Sequence, residues 1–116
     1  MLLNVKSAVY AALSTDASLV GLVKGGIYPD RNPDAGTYPA VVYTEISNIP
    51  HMHADDVEQI SKSTIQISIL TEDGASSVIA ERVNALMLGI GFMRVFSGDL
   101  LDGNIKITSM RYVIAQ

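Results

Sequence analysis

Residues 63–92 read STIQISILTEDGASSVIAERVNALMLGIGF, and the fold is decided there. In Ser63–Leu70, Ile65, Ile67 and Ile69 alternate with Thr64, Gln66 and Ser68, the period of two that marks a half-buried β-strand. Thr71-Glu72-Asp73-Gly74 breaks that pattern, and Asp73 is placed to accept a hydrogen bond from a free N–H of a following helix. From Ala75 the period becomes 3.6. Ala75, Ile79, Val83, Leu86 and Ile90 fall in one narrow arc flanked by Val78 and Met87, with Ser77, Glu81 and Asn84 opposite. Gly89 and Gly91 supply the stop, because glycine tolerates the left-handed conformation that ends many helices. A helix with one apolar stripe must cover a sheet, and the three isoleucines offer the nearest face.

On the N-terminal side, Leu2 to Leu13 reads as a first helix, with Leu2, Val5, Ala8, Val9, Ala12 and Leu13 sharing one side. Ser14-Thr15-Asp16 is a stop followed by a fresh cap, so a short helix over Ala17–Val23 follows, closed by Gly25-Gly26. Ile27-Tyr28 is a brief strand before Pro29. Pro29 to Pro39 is dense in turn formers and reads as an exposed loop. Ala40–Ser47 is a strand rich in β-branched and aromatic residues, and it pairs antiparallel with Ser63–Leu70 across an irregular stretch, Asn48 to Ile60. On the C-terminal side, Met93–Leu101 and Ile105–Ile114 form a hairpin turned by Asp102-Gly103. The expected fold is α+β, an antiparallel sheet of about four strands with helices packed on one face.

At 116 residues the chain is expected to form one domain, 1–116, burying roughly 65% of its unfolded surface. It contains no cysteine, which excludes disulfides, thiolate metal sites and cysteine nucleophiles. Acidic residues outnumber basic ones 12 to 8, a net charge of -4, and the basic residues are scattered from Lys6 to Arg111. Direct binding to a phosphate backbone is therefore disfavoured. Charged residues make up only 17%, against roughly 25% in ordinary soluble domains, and the mean hydropathy is +0.29. A small domain with so few charges to cover a large surface is expected to bury part of it against other copies of itself. No apolar run approaches the roughly 18 residues of a membrane span, and the first residues are too interrupted for a signal-peptide core. The expectation is a protein that stays in the cytoplasm where it is made.

Chemistry-bearing constellations are sparse. His51-Met52-His53-Ala54-Asp55-Asp56 puts two histidines one residue apart, able to point the same way in an extended segment, with two carboxylates behind. A metal needs three or four converging ligands, so the motif reads better as a polar loop tip than as a metal centre. Asp55-Asp56 and Glu72-Asp73 sit in turns without an apolar pocket to perturb them. No nucleophile elbow accompanies the serines, and Gly89-Ile90-Gly91 closes a helix where a phosphate loop would open one. No catalytic residue, metal ligand or cofactor is assigned. Arg82, at the edge of the helical stripe, Arg31, in the Pro-rich loop, and Arg94, on the final hairpin, read as solvated, or as bridges to carboxylates of a neighbouring copy. Tyr43 reads as core, while Tyr28 and Tyr38, beside prolines, suit the rim of an interface. The candidate subunit or partner contacts are thus Tyr28, Arg31, Tyr38, Val41, Tyr43, His51, Met52, His53, Asp55, Asp56 and Arg94.

The opening helix, LSTDASLVGLV, GGIYP, TYPAVVYTEIS, STIQISILTED, the helix and the terminal SMRYVIAQ together resemble the small tail-completion, or head–tail joining, proteins of long-tailed bacteriophages and prophages. The resemblance runs over nearly the whole chain and is most specific at Ile27-Tyr28-Pro29, at Tyr38-Pro39 to Tyr43 and in the strand-to-helix unit. His51 and His53 are not part of it. It implies a non-enzymatic virion protein that assembles as a ring, often hexameric. Such a ring caps the tail tube, docks the head connector and lets DNA through its channel without specific binding. Head-to-tail contacts would close the ring, each subunit burying two different patches, and the open edge of a strand such as Ala40–Ser47 is a template for a neighbour. Two other classes compete: an α+β binding module that dimerises through a sheet edge, and, more distantly, a metal-dependent enzyme using His51 and His53.

Overall fold

The computed structural model describes residues 5–33, 36–54, 57–72 and 76–115, and for 50–54 and 57–61 the description is of the backbone. Along the chain run helix α1 (Val5–Ser14), helix α2 (Ala17–Leu22), strand β1 (Gly26–Pro29), strand β2 (Ala40–Ala54), strand β3 (Val57–Thr71), helix α3 (Ser77–Gly89), strand β4 (Met93–Asp102) and strand β5 (Ile105–Ala115). The strands form one sheet in the order β1-β2-β3-β5-β4. The fold is α+β, as expected.

Alternation decides which face is packed. Ile65, Ile67 and Ile69 of β3 stand in register with Tyr43 and Val41 of β2 on one side and with Tyr112, Met110 and Thr108 of β5 on the other. All these side chains are buried. Val5, Val9 and Leu13 of α1, Leu19 of α2 and Ile79, Val83 and Met87 of α3 close over them in a single core. The spacing of four residues along α1 and α3 keeps each triplet on one face of its helix. Burying such a residue contributes about 1.5–3 kcal/mol, so this layer dominates the folding energy.

Four expectations change. The sheet is mixed and five-stranded, because Gly26–Pro29 pairs parallel with Ala40–Tyr43. The stretch 48–60 is not an irregular connection: β2 and β3 continue through it, pairing out to Ala54↔Val57. Adjacent extended segments satisfy each other's N–H and C=O groups, and that outweighs the poor strand propensity of Asn48 and Pro50. β1 covers only Ala40–Tyr43, and β5 begins its pairing with β3 at Lys62, so residues 49–54 and 57–61 project as the two strands of an arm. The arm accounts for principal extents of 52 × 28 × 23 Å and a radius of gyration of 14.9 Å, against about 13 Å for a compact chain of this length. Third, the packed stripe of α3 is narrower than its apolar composition: Val78 and Leu88 are exposed, while Ala75 falls outside the described residues. Fourth, the final hairpin turns on Gly103-Asn104, with Asp102 paired to Ile105 and φ of 63° at Gly103. A glycine with positive φ at the first of two turn residues matches the twist of the flanking strands.

The ends of α3 explain its length. Asp73 lies outside the described residues, and the N-cap position is Ser76, whose hydroxyl makes no cap bond and instead meets the Thr108 hydroxyl at 3.0 Å. At the C-terminus Phe92 N donates to Met87 O at 3.0 Å and Gly91 N to Leu88 O at 3.1 Å, with Gly91 at φ 97°. This is the Schellman arrangement, and buried Phe92 and Met87 supply its apolar contact.

Candidate functional site

The face of the sheet turned away from the helices has no layer over it among the described elements. Strand alternation assigns to it Lys62, Thr64, Gln66 and Ser68 of β3, Ser109, Arg111 and Val113 of β5, and Met93, Phe96 and Gly98 of β4, through the pairs Thr64↔Val113, Gln66↔Arg111, Met93↔Val113, Phe96↔Arg111 and Gly98↔Ser109. At its centre Arg111 Nε donates to Gln66 Oε1 at 2.9 Å, and the guanidinium carbon stands 5.5 Å from the centroid of the Phe96 ring. That separation suits a cation over an aromatic face. The far end of the Phe96 ring lies over Gly98, where an added Cβ would come 2.9 Å from Cζ. A glycine two residues along is what lets the ring fold down onto the strand.

Beside this cluster an open trough of about 760 Å³ runs along the sheet, lined by Lys62, Thr64, Met93, Val95, Phe96 and Arg111 among others. β4, the outer strand, is exposed almost throughout, and five of its ten residues are large and apolar: Met93, Val95, Phe96, Leu100 and Leu101 are 61%, 53%, 49%, 64% and 75% exposed, beside the charged Arg94, Asp99 and Asp102. An apolar edge strand of this length with open N–H and C=O groups is a template for another chain, and monomeric proteins blunt such edges. The edge expected at Ala40–Ser47 is interior over Ala40–Tyr43, held between β1 and β3.

On the helical side a shallower groove of about 330 Å³ lies between α2 and α3, lined by Ser18, Leu22, Val78, Glu81, Arg82 and Ala85. Arg82 is neither free nor waiting for a neighbour. Its Nε donates to Asp16 Oδ2 at 2.8 Å and its second nitrogen to Oδ1, and Asp16 also accepts from Leu19 N at 2.9 Å as the cap of α2. The Arg82 guanidinium holds the Asp16 carboxyl down from 3.8 to about 2, against the opposing effect of burial.

The sequence-derived contact residues do not converge on one site. Val41 and Tyr43 are in the core and leave the candidate surface, with the Tyr43 ring tilted by 38° against that of Tyr10 at 6.1 Å between centroids and its hydroxyl pKa raised by burial. Tyr28 is half-buried on β1, its ring folded over Gly26, Tyr38 is half-buried beside β2, and Arg31 is exposed in the loop. His51, Met52 and His53 belong to the β2 strand of the arm, while Asp55 and Asp56 fall outside the described residues. Arg94 is exposed on β4, at the opposite edge of the sheet. Among the described residues no group of three or more His, Asp or Glu side chains is placed to hold a metal. Two further buried polar side chains brace the fold. Thr108, hydrogen-bonded to Ser76, also donates to Asp99 Oδ1 at 2.9 Å, and Tyr112 donates to Asn84 Oδ1 at 2.9 Å. Sequence reasoning missed the trough and the β4 edge. Their signal was Met93, Val95, Phe96, Leu100 and Leu101, a strand apolar on both faces without a second helix to cover it.

A mixed sheet packed on one face and bare on the other, with an exposed apolar edge, defines a class of contact-making domain. The chain belongs to the tail completion protein gp17 family, whose model matches residues 7–97. It is a structural protein of phage tails. A chain from the virion of a native gene transfer agent particle shares the fold, with a TM-score of 0.64 and 18% identity over 96% of this chain and 94% of that one. The gp17 protein of bacteriophage SPP1 does so with a TM-score of 0.52 and 18% identity, over 94% and 87%. Among curated proteins none matches in sequence.

Proposed function

We propose that this protein closes into a homo-oligomeric ring at the head–tail junction, completes the tail tube and docks it to the head connector, without catalysing a reaction. The observation that carries the reading is the bare sheet face with its apolar β4 edge, in a domain where only 17% of residues are charged. Family membership supplies the setting, and the virion origin of one structural neighbour agrees with it. The ring assembles in the host cytoplasm and is retained in the virion. The net charge of -4 suits a channel that DNA crosses without adhering. The arm (49–54 and 57–61) and the segments 30–33 and 36–39 are the reading's contacts with neighbouring rings of the tail and the connector.

The test is electron microscopy of tails produced without this protein, before and after it is added back. A ring of density at the head-proximal end and recovery of head joining are expected; tails that join heads equally well without it overturn the proposal. The open β4 edge also favours a second reading, a module that dimerises edge to edge. A solution or tail-bound mass of two copies, and no more, would select it.

A further inference from the structure

Two apolar patches lie on opposite faces of the domain, and they differ in charge. The trough on the bare sheet face presents Met93, Val95 and Phe96 with two cations, Lys62 and Arg111, and among the described residues no acidic side chain lines it. The groove between α2 and α3 presents Leu22 and Val78 around Glu81, with exposed Leu88 two turns further along the same face of α3. The groove's cation, Arg82, is neutralised by Asp16, so its open charge is the Glu81 carboxylate.

We infer that the trough of one copy receives the α2–α3 face of the next copy, with Lys62 and Arg111 meeting Glu81. The inference rests on the ring reading and gives that ring its contact. Trough against trough would set cations on cations, and groove against groove would set Glu81 on Glu81, so like-charge repulsion disfavours both symmetric pairings. The unlike pairing matches charge to charge and leaves one trough and one groove free on every pair. Copies then add head to tail until the rotation closes a circle. The apolar side chains supply the affinity, and the charges fix register and exclude the symmetric alternatives. Arg111 is positioned before docking, its Nε on Gln66 and its guanidinium over Phe96, which lowers the ordering cost of making the contact.

The chain has no cysteine, so introduced thiols report this contact cleanly. A Val95→Cys, Val78→Cys chain is treated with a short bismaleimide, free at high concentration and on completed tails. A ladder of covalent multimers is expected, whereas each single-cysteine chain stays monomeric and an equal mixture of the two stops at the dimer. Dimers from Val95→Cys alone, or multimers by mass with no ladder, overturn the inference while the ring reading stands. Tails that are completed by single copies overturn both. Arg111→Glu should cut ladder formation at least about tenfold, and Glu81→Arg in the same chain should restore it. Both positions are exposed, so an unchanged melting temperature confirms that the variants fold. A double reversal as defective as the single one sinks the pairing.

Discussion

Asp16 is one carboxylate with two tasks, and its titration measures them. It caps α2 through Leu19 N and takes the Arg82 guanidinium from α3, which ties two helices that are 66 residues apart in sequence at this contact. Because its folded pKa is about 2 and its ordinary value 3.8, the unfolded chain binds more protons between those values. The stabilisation is complete above about pH 4 and is lost as pH falls towards 2. Asp16→Asn keeps a neutral acceptor for the cap but removes the charge. Thermal melts from pH 2 to 7 should show a lower melting temperature at neutral pH and a shallower acid limb than the parent; superimposable acid limbs would mean that Arg82 contributes nothing. Tyr112 is the alkaline counterpart. Burial pushes its hydroxyl from 10.0 up to about 12, so the unfolded chain ionises first and stability falls as pH rises past 10. Tyr112→Phe leaves Asn84 Oδ1 without its donor and should cost about 1 kcal/mol by denaturant melts at pH 7, with a smaller loss above pH 10.

At the level of elements, the two glycines that end α3 are not equivalent. Gly91 stands at φ 97°, where an L side chain is strained, while a Cβ at Gly89 meets nothing within 4 Å. Gly91→Ala should destabilise by about 1 kcal/mol, and Gly89→Ala should stabilise by about 0.5 kcal/mol through the unfolded chain, both read from denaturant midpoints. This end of the helix was legible in the sequence because a glycine stop and a switch of period from 2 to 3.6 are local facts. The parallel pairing of β1 was not legible, since it depends on where the loop 30–39 returns the chain, and no alternation encodes that. The arm was hidden for a related reason. Beyond the reach of β1 and β5 the two strands pair only with each other, and Asn48 to Ile60 carries no period to read. That pairing has a measurable consequence. Joining Ile49 to Lys62, which are paired in register, through an Asn-Gly turn deletes the arm at a point where a two-residue hairpin already fits. The shortened chain should melt within a few degrees of the parent yet fail to complete tails; full activity would show that the arm makes no functional contact.

For the whole molecule, the difficulty was that the exposed site exists only through register. Lys62, Phe96 and Arg111 lie on three strands and meet because β5 pairs with both β3 and β4. Sequence reasoning instead selected Tyr28 and Tyr38 beside prolines together with Val41 and Tyr43, and the sheet holds the last two inward, the core position also read for Tyr43, because they pair with Ile69 and Ile67. What composition did convey was a high apolar content, and the structure places much of the exposed part of it on β4. Leu101, 75% exposed at the free edge, packs against little that folding needs. Leu101→Lys should therefore change stability by no more than about 0.5 kcal/mol, since substitutions on an open surface seldom do more. It should nonetheless raise the concentration at which the isolated protein precipitates, because lysine on an edge strand discourages pairing with another chain. If the same edge is covered in the assembled tail, the variant will also lose the competition for incorporation when mixed with the parent chain. Equal incorporation together with improved solubility would assign the β4 edge to aggregation alone and leave assembly to the two faces of the domain.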